Sequence, residues 1–297
     1  MGALAFVFSG QGDQHPGMGQ ALYAAYPAAA QVFDQLESLR PGTLGQCFSG
    51  SDEELKQTCN TQPCLFAFEL AAAEILLQKG IRPAAVAGFS LGEVAAATVA
   101  GCFDRETGFR LVCKRGQLMQ AAAEQLDTAM AAVVKLPEET VIRLCQQNPG
   151  IYPVNFNCPG QITVSGLAQQ MPAFAAQVKT AGGRALPLKV KGGFHSPYMA
   201  QAASAFAAEL EQVSMMESTI PLYSNVTAEP YAANPAALLA QQIQSPVRWE
   251  PLIRNMISSG IDTFVEIGPG KTLCGMIRKI DAAVTAYSVM EYLEELP

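Results

Sequence analysis

Ala84-Ala85-Val86-Ala87-Gly88-Phe89-Ser90-Leu91-Gly92-Glu93-Val94-Ala95-Ala96-Ala97 reads as a short apolar strand, a turn with a glycine two residues either side of one serine, and an alanine-rich helix. A strand that enters a helix through so tight a turn forces strained angles on the central residue, and a Cβ at either flanking position would collide with neighbouring backbone. The serine is held at the start of a helix, where free N–H groups and the helix dipole favour developing negative charge. Gly-x-Ser-x-Gly in this setting is a nucleophile elbow, with Ser90 as the nucleophile. The bare pattern is common by chance; the strand before it and the helix after it give it weight.

A serine nucleophile needs a base, and the chain has only two histidines, His15 and His195. His15 lies in the glycine-rich Gln11-Gly12-Asp13-Gln14-His15-Pro16-Gly17, where a solvated polar residue is the ordinary reading. His195 follows the apolar run Ala185 to Val190 in Lys191-Gly192-Gly193-Phe194-His195-Ser196-Pro197, and a histidine at a strand end beside paired glycines suits a base better. The alternative reading is a capping histidine for the helix that follows.

With 297 residues, 49% hydrophobic and 15% charged, the chain can bury a large core in one large domain or two unequal ones. A net charge of -7 leaves no basic stripe to displace counterions from a phosphate backbone, which argues against nucleic-acid binding. The eight cysteines form no Cys-x-x-Cys pair and have no histidine nearby, so a zinc site is not expected and reduced thiols are. Met1 to Phe8 has no basic segment and reads as a first buried strand, not a signal peptide. The apolar run Cys64 to Leu77 is interrupted by Glu69 and Glu74 and is too short to span a bilayer. A cytoplasmic protein, monomeric and without a membrane partner, is expected.

Taken in order, Ala5 to Ser9 is a strand running into Gly10-Gln11-Gly12, Ala21 to Leu36 a helix, and Asp52 to Cys59 a polar helix. Thr61-Gln62-Pro63 then opens a long apolar helix ending at Gly80, and the helix starting at Asp104 carries Arg110, Lys114 and Arg115. With the elbow between them, these elements make a mostly parallel sheet flanked by helices. From Thr128 the pattern changes to strand 129–136, helix 137–147, strands 152–157 and 161–165, helix 168–181 and strand 184–190, with Pro159-Gly160 as a hairpin turn. That βαββαβ order is a split βαβ, or ferredoxin-like, layer. Helix 197–213, strand 220–224, helices 235–243 and 249–259, strand 263–267 and helix 272–280 return the chain to the larger unit. A cleft between the two units is expected.

Several separated motifs agree with one family: Phe8-Ser9-Gly10-Gln11-Gly12, Thr61-Gln62-Pro63, the elbow through Glu93, Arg115-Gly116 with Met119-Gln120, and Pro153-Val154-Asn155-Phe156-Asn157. Gly193-Phe194-His195-Ser196-Pro197, Ser245-Pro246-Val247-Arg248-Trp249 and Glu266-Ile267-Gly268-Pro269-Gly270-Lys271 complete the set. Over almost its whole length the chain resembles malonyl-CoA:acyl carrier protein transacylases, including the acyltransferase domains of polyketide synthases. The resemblance implies an α/β fold with a large α/β-hydrolase-like subdomain (1–127 and 191–297) and an inserted ferredoxin-like subdomain (128–190). It also implies catalytic Ser90 and His195, an oxyanion hole from the backbone N–H groups of Gln11 and Leu91, and Arg115 as partner of the substrate's free carboxylate. Gln62, Met119, Asn157, Phe194 and Gln242 are the positions implied to line the acyl pocket or orient its contents. Gln242, matched by spacing, would orient the base through its backbone carbonyl.

Malonyl-CoA and an acyl carrier protein are the implied partners, with no metal and no cofactor. Arg115 fits this chemistry because a guanidinium grips a carboxylate in bidentate fashion, although by itself it reads as an ordinary helix-surface arginine. One departure is Phe89, where the family usually has histidine; the bulky Phe194 matches members selective for malonyl. A thioester hydrolase on the same scaffold and a non-catalytic carrier-docking subunit are the rival readings. Fatty acid, polyketide and malonate decarboxylase pathways all remain open. Lys189 and Lys191, on one face of an alternating strand, are expected to form a cationic rim for the carrier.

Overall fold

The computed structural model describes residues 2–232 and 235–296; Met1 of the expected first strand lies outside them. The elements run β1 (Ala3–Phe8), α1 (Gln20–Ala25), α2 (Pro27–Leu39), α3 (Thr43–Ser49), α4 (Asp52–Leu55), α5 (Thr58–Gln78), β2 (Ala85–Gly88), α6 (Gly92–Val99) and α7 (Arg105–Gln125). A second group follows: β3 (Thr128–Val134), α8 (Glu138–Gln147), β4 (Tyr152–Cys158), β5 (Gln161–Leu167), α9 (Met171–Thr180) and β6 (Arg184–Pro187). The chain closes with α10 (Ala200–Leu210), β7 (Leu222–Tyr223), α11 (Ala236–Gln242), α12 (Trp249–Ser258), β8 (Ile261–Ile267), α13 (Thr272–Ile280), β9 (Thr285–Ser288) and α14 (Val289–Glu295).

Two sheets result. The first has the order β7-β2-β1-β8-β9 with every neighbouring pair parallel, and its inner strands β2 and β1 are apolar runs buried on both faces, as helices on either side require. The second group builds a βαββαβ layer of order β4-β5-β3-β6, antiparallel throughout. From the central strand β1 the chain goes out through β2 to β7 on one side and later returns to β8 and β9 on the other. A crevice therefore opens beyond the carboxyl ends of these strands, where such sheets place their ligands. The loop after β1, the elbow after β2 and the Gly268 turn after β8 all emerge there. The small sheet is stitched to this unit by backbone bonds from Phe156 to Val247 (2.9 Å) and from Val247 to Val154 (2.8 Å).

Helix α5 is apolar around its whole circumference and is buried accordingly, packed between α2 and α7 as the core of the helical layer. The expected helix 21–36 is two helices, because Pro27 has no N–H and holds Tyr26 extended (φ -127°, ψ 113°). The polar helix ends at Leu55, and the long helix begins at Thr58, so Pro63 lies in its second turn and not its first. Its missing donor costs a single i to i-4 bond, to the Cys59 carbonyl, while the Thr61 hydroxyl ties the start of the helix back to the carbonyls of Leu55 (2.5 Å) and Gln57 (2.9 Å).

The expected strand 184–190 stops at Pro187, and residues 188–196 continue as an irregular segment in which Gly192 (φ 132°) and His195 (φ 61°) have positive φ. Helix 197–213 is a single 3-10 turn, Pro197–Met199, followed by α10. Helix α3, the edge strand β9 and helix α14 are additional to the elements read from the sequence.

Candidate active site

The elbow is fixed by backbone packed on backbone. A Cβ on Gly92 would lie 2.4 Å from the Phe8 carbonyl oxygen and 2.5 Å from that of Ser9, and one on Gly88 would lie 1.9 Å from the Gly92 carbonyl carbon. Ser90 between them has φ 56°, a strained value for a residue with a side chain. Asn225 brackets the turn, accepting the Ser90 N–H at its Oδ1 (2.7 Å) and donating from Nδ2 to the Gly88 carbonyl (2.6 Å).

Across the crevice His195 is buried, and its N–H donates to the Ile243 carbonyl at 3.1 Å. Its Nδ1 lies 2.9 Å from the Gln242 carbonyl oxygen, which can only accept, so the ring proton sits on Nδ1. Nε2 is left to accept the Ser90 hydroxyl at 2.7 Å. Burial first, and the nearby Arg115 charge second, push the imidazole down to about 4, so it is neutral near pH 7. A neutral imidazole aimed at a serine hydroxyl can take its proton.

Arg115, from the middle of α7, has no solvent exposure. Its Nη2 donates to Gln242 Oε1 (2.7 Å) and Ser90 Oγ (3.2 Å), while Nε and Nη1 have no partner among the described residues. A buried guanidinium with open donors is costly unless an anion completes it. Burial lowers its pKa to about 10 and the Glu93 charge works against that shift, so it stays cationic. Because it lies behind Ser90 and not in the cavity wall, a carboxylate reaches it only by displacing the Ser90 contact or a covering side chain.

A chamber of about 90 Å³ is lined by Gln11, Phe89, Ser90, Met119, Phe194 and His195 among others, and is much smaller than a site for a drug-sized molecule. Among the described residues the N–H groups of Gln11 and Leu91 have no hydrogen-bond partner. Gln62 sits behind this wall, linking Gln11 Oε1 (3.3 Å) to Met119 Sδ (3.4 Å). Asn157 is not in the chamber; it lines an adjoining cavity of about 220 Å³ and donates to Thr163 Oγ1 (3.2 Å). Phe89 and Asn155 line both spaces, and the Phe89 ring meets Trp249 edge-on at 5.4 Å. His15 is exposed, with Nδ1 3.0 Å from the Asp13 carbonyl oxygen.

Lys189 and Lys191 are exposed and lie past the end of β6; both line a groove, with Lys56, Glu124 and Asp127, that shares no lining residue with the catalytic chamber. Sequence reasoning missed Asn155, Asn225, Tyr231 and the use of Glu93. Asn155 and Glu93 stand inside motifs already quoted, but their partners come from far along the chain.

The family model described as the acyl transferase domain matches residues 5–289. The malonyl CoA-acyl carrier protein transacylase of Bacillus subtilis is 36% identical, the alignment covering 98% of this chain and 94% of that one. The crystal structure of a malonyl-CoA:acyl carrier protein transacylase from Xanthomonas oryzae superposes with a TM-score of 0.95 at 34% identity, covering 100% of this chain and 98% of the other. A malonyl-transacylase solved in complex with its type II polyketide synthase acyl-carrier protein gives 0.94 at 32% identity, covering 99% and 100%. With the family model spanning nearly the whole chain and these relatives matched end to end, the protein belongs to the acyl transferase domain family.

Proposed function

We propose that this enzyme moves a malonyl group from malonyl-CoA to the phosphopantetheine thiol of an acyl carrier protein, by way of a malonyl ester on Ser90. Ser90 Oγ attacks the thioester carbonyl as its proton passes to His195 Nε2, and the backbone N–H groups of Gln11 and Leu91 receive the oxyanion. The C–S bond breaks, and His195 returns the proton to the departing CoA sulfur. The carrier's thiol then gives its proton to His195 and attacks the ester; the bond from the acyl carbon to Ser90 Oγ breaks and Oγ recovers the proton. A thioester is reactive enough for this serine–histidine pair, so neither metal nor redox cofactor enters the scheme.

The observation that carries the reading is the buried Arg115 guanidinium, with two unpaired donor groups, against the oxygen of a serine that faces a neutral, oriented histidine. A hydrolase of plain acyl groups has no use for that cation. Phe194 in the chamber wall crowds a branched acyl group, and Met119, with Gln62 behind it, bounds the same space. The parallel sheet with its elbow is read as a large α/β-hydrolase-like subdomain (1–127 and 191–297). The antiparallel layer (128–190) is read as a ferredoxin-like one, in a monomeric cytoplasmic enzyme of fatty acid or polyketide synthesis.

Incubation with labelled malonyl-CoA, with and without a carrier protein, is the test. Label should pass to the carrier faster than free malonate appears. Release of malonate at the same rate in both cases would make the protein a hydrolase.

A further inference from the structure

Glu93 is fully buried one residue past the second glycine of the elbow, and the chemistry above gives it no task. Its Oε2 accepts from Gln242 Nε2 at 2.6 Å, and its Oε1 accepts from the Asn225 N–H at 3.0 Å and the Tyr231 hydroxyl at 2.5 Å. Three donors converge on a group whose ionised form only accepts. Gln242 Nε2 also donates to the Ser90 carbonyl at 2.6 Å, so acceptors surround that end of the amide and its Oε1 has to face Arg115. One residue thereby holds the base through its main-chain carbonyl and the cation through its side chain.

Among the described residues no Glu93 oxygen lies within ion-pair distance of Arg115. A direct pair would be bidentate and would occupy guanidinium donors. With the Gln242 amide between them, Glu93 anchors that amide while Nε and Nη1 stay without partners. Burial raises the Glu93 carboxyl to about 7, and the hydrogen bonds from Tyr231, Gln242 and Asn225 and the Arg115 charge oppose that rise.

We propose that Glu93 is a positioning residue for carboxylate recognition: through the Gln242 side chain it fixes the orientation of Arg115 and leaves two of its donor groups unpaired for the acyl carboxylate. This rests on Arg115 being the group that binds that carboxylate. Glu93→Gln preserves shape but adds an NH2. Turned one way it faces the Asn225 N–H; turned the other it opposes Gln242 Nε2 and drives that amide to present a donor to Arg115.

The test is a double-mutant cycle of Glu93→Gln with Arg115→Ala, loading Ser90 from malonyl-CoA and from acetyl-CoA and reading kcat/KM for each. Glu93→Gln should lower malonyl loading about tenfold more than acetyl loading, the scale of a disturbed hydrogen bond to a charged group. That extra loss should disappear in the Arg115→Ala background. Equal losses for the two donors, or an unchanged effect of Glu93→Gln after Arg115 is removed, would make Glu93 a packing residue only. If Arg115→Ala itself leaves the malonyl-to-acetyl ratio intact, the assignment of Arg115 fails instead, and this proposal with it. Should Glu93→Gln show no cooperative unfolding transition, Gln242→Met takes its place in the same cycle, keeping the main-chain carbonyl for His195 and removing the amide. The same malonyl-specific loss is expected of it.

Discussion

At the scale of the residue, His195 shows how burial sets chemistry. In an unfolded chain its imidazole would titrate near 6.5, whereas burial and Arg115 hold it at about 4 in the folded protein. Between those values the unfolded chain binds a proton that the folded one refuses, so this group removes stability as pH falls from about 6.5 to about 4. The base itself remains competent across the same window. Acylation of Ser90 by a neutral ester, which does not engage Arg115, should keep most of its pH 7 rate at pH 5 and show an acid limb near 4. A limb near 6.5 would mean an exposed imidazole. His195 was legible because composition left almost no rival for the base, and Ser90 because its constraint is local. Arg115 was not legible from its own surroundings: a helix carrying Arg110, Lys114 and Arg115 does not say which cation is buried, and only the family resemblance singled it out.

At the scale of the element, the elbow is a contact between two strand ends, and both sides are main chain. Because a Gly92 Cβ would press on the carbonyls of Phe8 and Ser9, Gly92→Ala has no flexible side chain to push aside and must move β1 or α6. Overpacking of this kind costs about 1–3 kcal/mol, and here the displaced strand leads into the Gln11 loop. Denaturant unfolding should show a loss of that order, together with slower acylation of Ser90. Wild-type stability and rate would show that the contact is slack. Elements whose limits are set by local chemistry were read well, as with β1, the elbow and the βαββαβ run. Those set by tertiary partners were not. The start of α5 is set by Thr61 hydroxyl bonds that reach back to Leu55 and Gln57, which puts Pro63 in the second turn, and β9 exists only because β8 offers it an edge.

At the scale of the whole molecule, an acidic chain has to receive partners that carry negative charge of their own, so its few cations matter by placement. Lys189 and Lys191 line one groove with Lys56, Glu124 and Asp127, on the segment that leads to His195. Charges on such a rim act mainly on association rate and are screened by salt. Changing both to glutamate should raise KM for the carrier protein, most at low ionic strength, while water still hydrolyses the malonyl-enzyme at its former rate. An unaltered carrier KM at low salt would place docking elsewhere.

The central claim is that Ser90 carries the acyl group with Arg115 beside it, and intact-mass measurement of the protein after mixing with malonyl-CoA tests it most directly. The account predicts one malonyl adduct on the wild-type chain, removed by addition of a carrier protein thiol and absent from Ser90→Ala. An adduct that persists on Ser90→Ala would contradict it.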